Sequence, residues 1–188
     1  MTRFFWLALL FVITRNHAWT PTLHLPDASL AVFFLAGLWL TGPRPFLALL
    51  ALGAGVDAWA ITAGGVSSYC VTPAYALLLP ASAALWLAGR FLQGSRLTGR
   101  AGWLQTVFLT AVATLVAELF SSGGFYFLSG RFVHPFLAGF LPRLLHYSPA
   151  VIGATVCYAT LGLFIERRCA SSWHRLTPST SPNIVEQS

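Results

Sequence analysis

One thiol, Cys70, sits in the polar break 64–75 (Gly-Gly-Val-Ser-Ser-Tyr-Cys-Val-Thr-Pro-Ala-Tyr) between two long apolar runs. A thiolate suits a soft or borderline metal. With no second soft ligand nearby in the sequence, Cys70 alone builds no site for a free metal ion. It could supply one axial bond to a metal already caged by a cofactor. Just upstream, Asp57 is set in the apolar stretch 52–61, where a charge is costly and usually functional. The structural alternative is a hydrogen bond to a neighbouring helix. Tyr69 and Tyr75 flank the thiol, and Arg143 stands between the apolar residues 136–141 and 144–145. An Arg in that context either snorkels to an interface or pairs with an anion such as a phosphate. His146 follows it, while His24 lies in a proline-stiffened loop and reads as a plain loop histidine. Glu118 is the other carboxylate inside an apolar run, and its place near a helix end asks for no functional explanation. Trp59, Tyr69, Phe125, Tyr126 and Phe127 could wall a pocket for a large ligand.

The elements that must hold these groups are membrane helices. The chain has 188 residues, 56% hydrophobic and 9% charged, against about 25% charged in an ordinary soluble domain. Apolar runs cover 4–19, 28–40, 45–62, 73–92, 101–120 (extendable to 128) and 148–165, and a helix needs about 20 residues to cross a bilayer. The alternation of a membrane barrel is absent. The expectation is an all-α integral membrane protein with six transmembrane helices, residues 1–168, and a Ser/Thr/Pro-rich disordered tail over 169–188. The segment 125–147 is expected as an aromatic, proline-rich region on the outer side. Arg15, Asn16 and His17 stand where small residues would favour cleavage, so the first run is retained as a span.

All 11 basic residues are Arg. With the N-terminus inside, eight fall on the inner side (Arg3, Arg44, Arg90, Arg96, Arg100, Arg167, Arg168, Arg175) and three outside (Arg15, Arg131, Arg143). The positive-inside rule therefore places both termini in the cytoplasm. The net charge of +6 expresses that topology rather than nucleic-acid binding, which needs a clustered basic face. Without Lys there is no phosphate loop for ATP. The three cysteines, Cys70, Cys157 and Cys169, fall in different settings and offer neither a disulfide framework nor a zinc pattern. On this topology His24, Asp57, Cys70, Tyr75, Arg143 and His146 gather on the outer side, as in a protein that accepts something from outside.

The series Asp57, Ser67-Ser68-Tyr69-Cys70, Pro73-Ala74-Tyr75 and Pro142-Arg143 within six spans resembles the BtuM family of bacterial cobalamin transporters, itself similar to the substrate-binding S-components of energy-coupling-factor (ECF) transporters. The resemblance covers about residues 1–168. It implies an S-component-like bundle in the bacterial inner membrane that binds cobalamin (vitamin B12) in an outward-facing cavity. Cys70 matches the family's cobalt-binding cysteine, and Asp57, Tyr75 and Arg143 match positions expected to line the pocket. S-components that dock on a shared ATPase module carry an AxxxA pattern in the first helix, and here Ala8 is followed by Val12. That departure argues against an ECF module as partner.

The expected function is cobalamin uptake, with the Cys70 thiolate as axial cobalt ligand in place of the lower nucleotide base, and with thiol-dependent decyanation as an accompanying step. Two other readings stay open on the residues alone. One is an S-component for another vitamin, with Cys70 incidental. The other is a membrane enzyme with Cys70 as nucleophile and His134 or His146 as base.

Overall fold

The structure, a computed structural model, describes residues 2–15, 26–70, 72–95 and 99–176. Its elements are α1 (Thr2–Arg15), α2 (Ser29–Trp39), α3 (Arg44–Thr62), two short 3-10 turns (Ser68–Cys70 and Pro73–Leu77), α4 (Leu78–Leu92), α5 (Gly99–Leu128) and α6 (Leu137–Leu176). Among the described residues there is no strand. Four stretches are long and apolar enough to cross a membrane: Arg44–Thr62, Pro73–Leu92, Gly99–Leu128 and Leu137–Arg168. Their outer faces carry large exposed apolar side chains, among them Phe91, Leu104, Phe108, Leu115 and Phe164, a surface that suits hydrocarbon rather than water.

α2 is different in kind. It spans 11 residues, about 16 Å at the helical rise, against a hydrocarbon thickness of about 30 Å. Nearly every position in it is buried, from Ser29 through Leu38, because a helix that is apolar all round has no face to offer water. It packs against α4, α1, α6 and α3 and forms the middle of the core. Its approach to α4 is set by glycine. A Cβ on Gly37 would overlap the Trp86 carbonyl, and one on Gly89 would overlap the Phe34 carbonyl.

The helices alternate in direction, and side-chain bonds at the two ends record it. At one end Arg15 of α1 reaches Ser29 of α2 and Asp57 of α3, and Tyr75, just before α4, reaches Asp57. At the other end Arg90 of α4 donates to the Leu40 carbonyl, Arg3 of α1 pairs with Glu166 of α6, and Arg167 of α6 stands over the Trp103 ring of α5.

The region 125–147 departs from the expected outer segment. α5 carries on to Leu128, and α6 begins at Leu137 and runs through Pro142 and Pro149. Each proline lacks an N–H, so the carbonyls four residues earlier, at Ala138 and Leu145, lose their helical donors. Long apolar helices tolerate this where neighbouring groups satisfy the freed backbone. The connection left between α5 and α6 is short, with His134 in the left-handed region at φ 54°. α6 also continues as helix to Leu176, past the expected end of the membrane domain at 168; residues 177–188 lie outside the described residues.

Candidate functional site

Arg15 closes α1, Asp57 sits in the penultimate turn of α3, and Tyr75 lies in the 3-10 turn Pro73–Leu77. The alternation of the helices brings all three to one end of the bundle. Arg15 grips Asp57 with a fork: Nε donates to Oδ1 at 2.7 Å and Nη2 to Oδ2 at 2.6 Å. The Tyr75 hydroxyl donates to the same Oδ2 at 2.6 Å. The remaining Arg15 nitrogen, Nη1, donates to Ser29 Oγ at 3.2 Å and lies 3.9 Å from Asp27 Oδ2. Asp27 in turn accepts the Ser29 N–H at 2.9 Å, which anchors the start of α2. Charged groups with side chains only 19% and 25% exposed need such pairing, because an unpartnered charge in this setting is strongly unfavourable.

Around this junction the bundle is hollow. A larger lobe of about 640 Å³ runs between Phe11, Phe33, Leu49, Ala81 and Ala150. A smaller lobe of about 470 Å³ is walled by Phe125, Tyr126, Phe132, Phe140 and Tyr147. Arg15, Tyr75, Leu78, Glu118 and Ser121 line both, so the two meet at a shared neck. Each lobe lies in the volume range of about 300–1,000 Å³ usual for organic ligands, and walls that are mostly apolar with a few polar groups are the usual construction.

Of the residues singled out in the sequence, Asp57, Tyr75 and Arg143 line the smaller lobe. The Arg143 guanidinium stands over the Phe132 ring at 5.1 Å and the Tyr126 ring at 5.8 Å. No carboxylate among the described residues pairs with it. Tyr69 is exposed, stacks against Phe125 with ring centroids 5.9 Å apart, and is itself covered by the Arg131 guanidinium at 4.5 Å. It therefore backs a wall of the smaller lobe rather than lining it. The backbone of Cys70 closes the 3-10 turn Ser68–Cys70, but its side chain lies outside the described residues, as does all of His24. His146 is exposed, packs against Tyr147 at 4.8 Å, and lines neither lobe. Of the five aromatic walls expected, Phe125 and Tyr126 take that role.

Two residues gain importance that the sequence did not give them. Arg15 looked like an interruption of the first apolar run, yet it is the partner of Asp57. The signal was available: one Arg in the first apolar run and one Asp in the third, each needing a counter-ion. Glu118 is 8% exposed and lies at the neck of both lobes, not at a solvated helix end, because α5 runs on for ten residues beyond it. Among the described residues no cluster of three metal-ligating side chains occurs.

No family model matches the chain, and a search of the curated proteins returns no match.

Proposed function

We propose that the protein takes up cobalamin across the bacterial cytoplasmic membrane, as the resemblance to the BtuM cobalamin transporters implies. On this reading it is a multi-pass, six-helix, S-component-like bundle with both termini cytoplasmic, and the hollow end faces outward. The missing AxxxA pattern, with Val12 after Ala8, speaks against partnership with an ECF ATPase module. The observation that carries the reading is the two-lobed, apolar-walled hollow at one end of the bundle, with Asp57, Tyr75 and Arg143 in its lining. Tyr69, the residue before Cys70, packs on the Phe125 wall of that same hollow, which keeps the thiol-bearing turn close to it.

The chemistry follows from the groups present. Apolar walls take the faces of a flat macrocycle, and the guanidinium of Arg143 suits a phosphate. The Cys70 thiolate binds the cobalt axially where the lower nucleotide base has left. A thiolate would weaken the bond opposite it, so that water could replace an upper cyanide, which would leave with its bonding electron pair and take up a proton as hydrogen cyanide while the cobalt keeps its oxidation state. Decyanation is then a ligand exchange that accompanies binding.

The test is optical. Purified protein loaded with hydroxocobalamin is expected to show cobalt–sulfur charge-transfer absorption that disappears in Cys70→Ala. An identical spectrum in that variant removes the thiolate from the account, and colourless wild-type protein after loading removes cobalamin altogether.

A further inference from the structure

Three carboxylates reach the hollow, and they are held differently: Asp27 accepts from Ser29 and lies 3.9 Å from Arg15 Nη1. Asp57 spends both oxygens on Arg15 and Tyr75. Glu118 lies at the neck, is 8% exposed, and among the described residues has one partner, the Ser122 hydroxyl one turn further along its own helix, which donates to Oε2 at 2.9 Å. No cation among the described residues pairs with it. Arg15 lines the same neck, but its nitrogens point to Asp57, Ser29 and Asp27. A carboxylate enclosed by apolar side chains is expensive unless something meets it. Intramembrane carboxylates of this kind face cavities and mark what passes through them.

We infer that Glu118 is a ligand-recognising residue, whose free oxygen accepts an N–H from a primary amide on the rim of the molecule that fills both lobes. The inference rests on the corrinoid reading above and names the side chain that reads the corrin's amide-bearing edge. On the corrinoid reading the groups offered at this neck are neutral amides, and the other polar groups that line it are already engaged: Arg15 donates to Asp57 and Ser29, and the Tyr75 hydroxyl donates to Asp57.

The experiment titrates full-length purified protein with hydroxocobalamin and with cobalamin derivatives in which one rim amide is replaced by a carboxylic acid. Glu118→Ala is expected to bind hydroxocobalamin about 10- to 100-fold more weakly, the worth of one hydrogen bond to a charged group. Glu118→Gln keeps most of the affinity, because its side-chain carbonyl still accepts. One of the mono-acid derivatives is expected to bind wild type more weakly than it binds Glu118→Gln, since the substitution removes repulsion between two carboxylates. Unchanged affinity in folded Glu118→Ala overturns the inference. So does a set of mono-acids that wild type and Glu118→Gln bind in the same order and with the same strength, a result that needs no destabilised variant. If wild type binds no cobalamin, the function proposed above falls and takes this inference with it, an outcome separate from a null effect at Glu118.

Discussion

The seam between α2 and α4 and the hollow beside it use much the same apolar residues to opposite ends. Along the seam the backbones approach so closely at Gly37 and Gly89 that no Cβ fits, and Phe34, Leu35 and Leu85 are fully enclosed. At the hollow two lobes stay open, the larger lined mostly by aliphatic side chains and the smaller by Phe and Tyr, with Arg15, Asp57, Tyr75 and Glu118 among the lining residues. The seam gains from contact alone. The hollow forgoes contact and is held open by charged hydrogen bonds that tie α1, α3 and the Pro73–Leu77 turn together. The packed seam and the braced hollow therefore rest on different residues in one small bundle, and substitutions can separate them.

The largest effect is expected at the seam. Gly89→Leu drives a side chain into the Phe34 carbonyl, and overpacking of a dense interface costs about 3 kcal/mol or more. A large drop in melting temperature in detergent, or loss of the folded peak on size exclusion, is the expected result. Gly153→Ala in α6 is the matched control, since a Cβ there meets nothing within 4 Å; it is expected to be neutral or slightly stabilising, as Ala is the better helix former. Equal losses in both variants would show that the seam has no special status.

Next comes the ion pair that braces the hollow. Asp57→Ala strands the Arg15 guanidinium, and removing one partner of an enclosed pair costs about 3 kcal/mol. The double variant Arg15→Met with Asp57→Leu is expected to recover most of that stability, because it removes both desolvated charges at once. A double variant as unstable as the single one would mean that the pair's geometry, not its charge balance, holds the end of α1.

The fold and the site were readable from the sequence to different degrees, for reasons visible in single residues. The starts of α3 and of the Pro73–Leu92 stretch were marked by Pro45 and Pro73, which favour the first turn of a helix. The start of α6 was less visible: the last apolar run was placed at 148–165 and Pro142 in a proline-rich segment before it, yet the helix begins at Leu137 and passes through both Pro142 and Pro149. Local propensity yields there to the apolar environment. At the site, Asp57, Tyr75 and Arg143 could be found because polar groups stand out in apolar runs. What each one touches could not be found. The Arg15–Asp57 bond closes across 42 positions of chain, and the enclosure of Glu118 depends on α5 running to Leu128, the longer of the two ends the apolar run allowed. Burial at a neck is a property of several helices at once, and no single run encodes it.

The smallest effect is expected at the opposite end, where the comparison can be sharpened with chemistry held nearly constant. Arg3 and Glu166 also form a 2.6 Å ion pair between two helices, but their side chains are 57% and 29% exposed, whereas those of Arg15 and Asp57 are 19% and 25% exposed and each has further partners. Water competes for Arg3, and its long side chain loses entropy when fixed, so an exposed pair of this kind contributes about 0–1 kcal/mol. Glu166→Gln is therefore expected to shift the melting temperature little, and that small shift is expected to shrink further as salt rises. If it destabilised the protein as much as Asp57→Ala, enclosure would not be what separates the two ends. The strength of the Arg15–Asp57 brace would then have to come from its two-point geometry, a difference that Arg15→Lys, which keeps the charge and loses the fork, would expose directly.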